Sequence, residues 1–262
     1  FGWIFFLPSF FLSLVNMVTG AVIFYLMGQL VARGTEPYMA DYGVSYGSYI
    51  VLGVMFNMVM ETTMNAYHQS LLRGYWATQF DVYLQHPGGV SALLTGDILM
   101  RYLLSALTTL IYFAVGVQWF GIAFTVHNLP AVVFILMMAV LALTGLGLAG
   151  ASTFTLLNAK NWDANPVAWL VGFGVALLAG VYFPPEVLPA WLQRIGDLLP
   201  QTHALHAGRL CLSGKASLSD PAIQAHLLYL ARFSLVALPV GLALFLAGIR
   251  KAQRDGTLTR WS

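Results

Sequence analysis

Along this chain, runs of about twenty apolar residues alternate with short polar breaks, the pattern of helices that cross a hydrocarbon layer. Six spans are predicted, near 4–30, 46–67, 98–117, 130–157, 167–183 and 222–249. The last is opened by Asp220-Pro221, a capping acid followed by proline at the first helical position, where a missing N–H breaks no bond. An even number of spans puts both termini on one side of the membrane. The first residues, FGWIFFLPSFF, have neither an initiator Met nor a basic lead-in. They are expected to be an internal stretch of a longer polypeptide and not a signal peptide.

The pattern changes character in GVYFPPEVLPAWLQRIGDLLP, residues 180–200. Pro184 and Pro185 cannot donate backbone hydrogen bonds, so the fifth span should end at Phe183. From Glu186 onward, Val187, Leu188, Trp191, Leu192, Ile195, Leu198 and Leu199 form a helical stripe, with Gln193, Arg194 and Asp197 off it. About fourteen residues reach only about 21 Å, short of a hydrocarbon core of about 30 Å. Pro200 then stops this helix, and Thr202 is expected to cap a second short one through HALHAGRLCL. Two short helices split by a proline predict a hairpin over 184–212 that dips into the outer leaflet and returns. Broken backbone at such depth needs a protein-lined or wet cavity to satisfy its polar groups.

A second amphipathic stretch lies between spans two and three. Trp76, Phe80, Tyr83 and Leu84 fall on one helical face, and Pro87-Gly88-Gly89 ends the segment. A helix over about 74–87 is predicted, suited to a membrane surface or a partner's groove. Small residues recur four apart, Gly172, Ala176 and Gly180 on the fifth span and Gly147 and Ala151 on the fourth, where helix backbones can approach closely. The expected use is packing within the chain, with Gly172, Ala176 and Gly180 also candidates for a pathway or subunit contact.

Composition makes the membrane assignment firm. The chain of 262 residues is 59% hydrophobic and 8% charged, against roughly 25% charged in a soluble domain. A net charge of +2 gives no reason to expect a nucleic-acid partner, and the single Cys211 excludes an internal disulfide. With both termini cytoplasmic, Arg73, Lys160, Arg250, Lys251, Arg254 and Arg260 lie inside, while Arg33, Arg194, Arg209 and Lys215 lie outside. This is a weak positive-inside bias carried by the tail RKAQRDGTLTR.

Few polar residues interrupt the spans. Glu61 lies in METTMNAY toward the predicted cytoplasmic end of span two, where a solvated or paired acid is expected; a functional acid is the alternative. Asp97 and Arg101 stand four apart, acid first, the favourable order for a helical pair; a polar gate is their sharper reading. His203 and His206 share a face but lack a third ligand, so no metal is predicted. Trp3, Phe5, Phe6, Phe10 and Phe11 form an aromatic cluster suited to interfacial anchoring.

The sequence GVYFPPEVLPAWLQRIGDLLPQTHALHAGRL resembles the signature of ABC-2 type exporter permeases. There, a glycine and an aromatic-proline element end the fifth span, followed by a Leu-Pro-x-Trp-Leu helix, a Pro-x-Thr break and an arginine. Gly180, Phe183, Pro184, Leu188, Pro189, Trp191, Leu192, Pro200, Thr202 and Arg209 match in register. The resemblance implies an all-α integral membrane protein of six transmembrane helices, with a cytoplasmic coupling helix and a re-entrant helical hairpin between spans five and six. It implies an outer gate at Phe183, Pro184, Pro185, Leu188, Trp191, Pro200 and Arg209, and a path along the first and fifth spans that Phe10 would line. The family's coupling helix fits a cleft on an ATPase subunit and carries an acid six residues before its proline, the place of Asp81 before Pro87. Trp76, Phe80, Asp81, Tyr83, Leu84 and Pro87 are the coupling residues so implied, although the loop lacks the family's Gly-Thr-Leu-Glu run.

The chain itself carries no phosphate-binding loop. The nearest approach, Gly208 to Gly214-Lys215-Ala216, has one intervening residue too many and alanine in place of the magnesium-binding hydroxyl. ATP and Mg would therefore belong to a dimer of separate ATPase subunits. The expected function is a permease subunit of an exporter in the bacterial inner membrane, paired with a second copy or a paralogue, moving a hydrophobic, amphipathic or lipid-linked substrate. Two rivals are an intramembrane enzyme acting on lipid through Glu61, His203 or His206, and a secondary transporter. The predicted topology separates Glu61 from both histidines, and no inverted repeat is present.

Overall fold

Prolines in the first turn or polar capping side chains mark where most of the described helices begin. The computed structural model describes residues 42, 44–77, 80, 82, 85–120, 128–157 and 165–257, with Leu12, Val15 and Thr19. Seven α-helices lie among them: α1 (Tyr46–Trp76), α2 (Gly89–Phe120), α3 (Leu129–Leu156), α4 (Pro166–Leu178), α5 (Ala190–Gly196), α6 (Pro200–Leu212) and α7 (Pro221–Arg254). Ser45 caps α1 by accepting from the Ser48 N–H, and Asn165 caps α4 through its side-chain oxygen. Asp220 sits in the N-cap position of α7, but its carboxylate turns back to accept from the Ser217 N–H at 2.5 Å. Of the expected first span only Leu12, Val15 and Thr19 are described; Phe10 lies outside the described residues.

Among the described residues three helices, α2, α3 and α7, are long and apolar enough to cross a membrane. Helix α1 is as long but carries a polar seam that includes Asn57, Glu61, Thr62, Asn65 and Ser70. Helix α3 forms the centre of the bundle, lying along both α7 and α1, with α2 on the other side of α1. These packings depend on small residues, as expected for the fourth span. A Cβ on Gly147 would stand 2.7 Å from the Thr63 carbonyl of α1, and Ala151 is fully buried. On the opposite face, Gly145 and Gly241 bring α3 and α7 into backbone contact.

The helices run past several predicted bounds, since apolar runs locate the membrane and caps locate the helix. Helix α1 continues to Trp76, and α2 starts just after Gly88, whose φ of 74° only glycine adopts readily. Helix α4 does the reverse and stops at Leu178, ahead of the expected Phe183. Gly180 takes φ 78°, and donors from elsewhere in the fold capture the carbonyls that would have continued the helix. The stripe of Gly172, Ala176 and Gly180 is thereby broken. Gly180 has left the helix, Gly172 faces open space, and the side chain of Ala176 lies outside the described residues.

Residues 184–212 fold as a short 3-10 turn (Pro185–Val187), then α5, then α6. The first helix is half the expected length because Pro189 occupies its N-cap position. Thr202 is not a cap. Pro200 opens α6, and the Thr202 hydroxyl donates to the Gly196 carbonyl at 2.7 Å, tying α6 back to α5.

Candidate functional site

Three polar features lie along α1, one toward each end and one between them. Near its start, α1 meets the hairpin through Arg209, a buried residue of α6. Its Nη1 donates to the Gly180 carbonyl at 2.7 Å, and Nη2 donates to the carbonyls of Val181 at 3.0 Å and Tyr49 at 3.1 Å. The guanidinium carbon sits 3.6 Å from the centre of the Tyr49 ring, and the Tyr49 hydroxyl donates to Gly180 at 2.8 Å. The cation thus satisfies carbonyls freed where α4 ends, and joins α1, α6 and the 179–184 bend at one point. Gly53 makes room for it, since a Cβ there would overlap Arg209 Nη2 and the Val181 carbonyl.

Beside this staple, the Tyr42 hydroxyl donates to Glu186 Oε1 at 3.3 Å and lies 3.1 Å from His206 Nδ1. Burial, with Tyr49 and Glu186 close by, pushes the Tyr42 phenol far above its ordinary range, so it keeps its proton. His203 Nε2 donates to the Asp197 carbonyl at 2.9 Å, and its Nδ1 is 2.9 Å from Nδ1 of His226 on α7. The histidines therefore knit the hairpin to α7 and to Tyr42. Neither lines a hollow with Glu61.

Near the other end of α1, Asp97 of α2 collects three donors. Arg101 Nε and Arg73 Nη1 each lie at 2.7 Å, and the Ser70 hydroxyl donates at 2.6 Å. The Asp97–Arg101 pair matches the sequence expectation. Arg73 and Ser70, both on α1, were not foreseen, because nothing in the spacing relates residues on different helices. They turn a local helical pair into a clasp between α1 and α2.

Glu61 lies between these ends, with residues 46–60 and 62–76 of α1 on either side. It was expected toward the cytoplasmic end of the 46–67 span; in the helix, which runs on to Trp76, it stands at mid-length and is exposed. It borders two hollows. One, of about 450 Å³, lies between α1 and α4 and is lined by Asn57, Glu61 and Asn65 opposite Trp169, Gly172 and Phe173, with Gln201 of α6 also lining it. The other, about 430 Å³, lies between α1 and α2 beside Arg101 and Ser105. Trp169 and Phe173 stack at 6.2 Å and are 67% and 60% exposed. Asn165 fixes this wall in place. Its Oδ1 accepts from the N–H groups of Val167 and Ala168, while Nδ2 donates to the Met64 carbonyl of α1 at 3.0 Å. Sequence reasoning missed Asn165, although Asn165-Pro166 has the same cap-then-proline form as Asp220-Pro221.

Elsewhere the expected site residues separate. Trp76 ends α1 and is 46% exposed, whereas Phe80 is 1% exposed and packs on Gly74. They share neither a helix from residue 74 nor a face, because Ala77 closes α1 between them. Phe80 holds the loop to its own chain, and Pro87 is exposed. Asp81, Tyr83 and Leu84 lie outside the described residues. In the hairpin, Pro184 and Pro200 are buried, Phe183, Pro185 and Leu188 are half-buried, and Trp191 is exposed. Leu188 has a backbone role, its carbonyl accepting from Gln193 Nε2 at 2.7 Å.

Known proteins share this pattern. Residues 79–243 match the family model of ABC-2 family transporter proteins. The daunorubicin resistance ABC transporter permease protein DrrB1 of Streptomyces coeruleorubidus is 24% identical over 218 residues, covering 79% of this chain and 71% of that protein. The family match spans more than half of the chain and takes in α2 to α6 with most of α7, which makes this all-helical, multi-pass chain a member of the ABC-2 family, a membrane permease of an ABC transporter.

Proposed function

We propose that this permease is one half of an exporter in the bacterial inner membrane, paired with a second copy or a paralogue and driven by two separate ATPase subunits. It crosses the membrane six times with both termini in the cytoplasm, and the 184–212 hairpin dips into the outer leaflet. The single observation that carries this reading is the hollow of about 450 Å³ at the mid-length of α1, polar on the α1 side and aromatic on the α4 side. A wall of each kind suits an amphipathic cargo better than a wholly apolar or wholly polar one. The daunorubicin resistance relative makes a drug-sized compound the first cargo to test.

In this reading, closure of the ATPase subunits on ATP presses the loop between α1 and α2 near Trp76 and Pro87. The Asp97 clasp makes α1 and α2 move as one body. The Arg209 staple carries the tilt of α1 to the hairpin, which opens the outer end of the path. Phe80 keeps the loop attached while it is pushed.

The test is to purify the tagged chain in mild detergent from cells that also express a candidate ATPase subunit. Co-purification of that subunit, with ATP-dependent uptake of cargo into inverted membrane vesicles, is the expected result. A permease recovered alone, under conditions that preserve similar complexes, overturns the proposal.

A further inference from the structure

Three histidines meet where the hairpin packs on α7. His203 and His206 come from α6 and His226 from α7, and all three are half-buried. The ring centres of His203 and His206 lie 5.1 and 5.0 Å from that of His226. Hydrogen bonds assign the protons. The Asp197 carbonyl can only accept, so His203 Nε2 carries a hydrogen and, in the neutral ring, its Nδ1 is bare. The contact of 2.9 Å between His203 Nδ1 and His226 Nδ1 then needs a hydrogen on His226. Tyr42 gives its hydroxyl hydrogen to Glu186, so His206 Nδ1 donates to the Tyr42 oxygen.

Acid changes these roles one ring at a time. Histidines exchange their proton between about pH 5 and 8. His203 has support for a charge, since the Tyr229 ring stacks on it at 3.8 Å. His206 has support from Glu186, with which it shares the Tyr42 hydroxyl. A charged His203 donates from Nδ1, and the bond survives with its direction reversed, the His226 hydrogen now sitting on Nε2. His226 itself is different. It lies between the other two rings, and a second hydrogen there would set N–H against N–H at 2.9 Å beside two cations. The other elements packed here do not offset this. Asp197 is exposed at the end of α5, and Arg209 of α6 adds a positive charge behind the Tyr49 ring. Helix α3, which packs on both α6 and α7, has no ionisable side chain.

We infer that the contact between α6 and α7 is a proton-operated latch, closed while His226 is neutral and released when His203, His206 and His226 are all charged. The released rings take up a proton that the closed cluster resists. The latch is therefore fully closed above about pH 6.5 and weakens as the pH falls below it. The Tyr229 hydroxyl donates to the Leu198 carbonyl at 2.9 Å and keeps its proton throughout, so α6 moves while the end of α5 stays on α7. The latch stands without the exporter reading; within it, acidity outside the cell loosens the outer hairpin.

The experiment follows amide hydrogen exchange of the full chain in lipid nanodiscs at about pH 7.5 and about pH 5, with times scaled for the intrinsic rate. Helix α3 is the internal reference. In the wild type, protection of residues 200–212 should fall at least tenfold at the lower pH, and that of α3 less than twofold. His226→Asn keeps a donor and an acceptor near the Nδ1 position but cannot be charged, so protection of α6 should change less than twofold. His203→Gln, which can still donate to the Asp197 carbonyl, should behave alike. Unchanged protection of α6 in the wild type, or an equal fall in the wild type and both variants, overturns the latch. Should one variant fail to fold, the other decides.

Discussion

Arg209 and Glu61 are both charges in an apolar helical bundle, and their surroundings are opposite: Arg209 is buried and Glu61 is exposed. Arg209 donates to three carbonyls and lies against the Tyr49 ring. Glu61 borders two hollows and forms no salt bridge among the described residues. A charge with partners inside the fold serves the fold, even where, as with Arg209 Nε, one donor is unpaired among the described residues, since removing the charge strands those partners. A charge whose partners are missing contributes little to folding and is free to meet something that moves. Asp97 belongs with Arg209 by this measure, with Ser70, Arg73 and Arg101 around it. Position along the helix does not separate the two kinds; partners do.

The harshest way to break this comparison is Arg209→Leu. The carbonyls of Gly180, Val181 and Tyr49 would each lose the Arg209 donor in a buried site, Gly180 keeping only the Tyr49 hydroxyl. A loss of more than about 3 kcal/mol is expected, enough to abolish monodisperse protein after detergent extraction. Gly53→Ala attacks the same site from the other helix, because its Cβ would overlap the guanidinium and the Val181 carbonyl. Overpacking of this kind costs about 1–3 kcal/mol. A lowered midpoint in heated samples run on size exclusion reads it. Normal extraction of both variants would mean that the hairpin is not held by this staple.

Asp97→Asn should follow, with a loss of about 1–2 kcal/mol from weakened bonds to Ser70 and Arg101. Arg73 contributes little to that figure, being 62% exposed and solvent-screened. Arg73→Ala is accordingly expected to shift stability by less than about 0.5 kcal/mol. An equal loss in Arg73→Ala and Asp97→Asn would place the clasp's strength in the Arg73–Asp97 bond instead of in the bonds to Ser70 and Arg101.

Sequence patterns located the helices well and their partners poorly. Apolar runs found α1, α2, α3 and α7, and prolines found the divisions of the hairpin, because both signals act through the residue's own backbone or solvation. The Asp97–Arg101 pair was legible for the same reason, its members being one helical turn apart. The end of α4 was misplaced by five residues' worth of bend, 179–183, since what unwinds it is an arginine far along the chain. Phe80 was read as outward-facing because an amphipathic stripe does not say which surface covers it; here Gly74 and its neighbours do. Hydropathy lost α1 at residue 67 while the helix continued to Trp76, so Glu61 stands at mid-helix although it lies toward the end of the apolar run. Register along a helix depends on its caps, and the caps of α1 lie in polar sequence.

The smallest expected effect sharpens the comparison most. Glu61→Gln keeps the size and shape of the side chain and removes its charge. With no salt bridge among the described residues to lose, the folded state should change by less than about 0.5 kcal/mol, in the range of ordinary surface substitutions. A small gain would also fit, since a neutral amide is easier than a carboxylate to hold in an apolar bundle. The measurement is the same heated size-exclusion series, run beside Asp97→Asn at equal detergent and lipid. If Glu61→Gln falls as far as Asp97→Asn, then Glu61 has a structural partner, in a second copy or in residues outside those described. In that case the two carboxylates are alike, and the hollow beside α4 has no unpaired charge to offer a cargo.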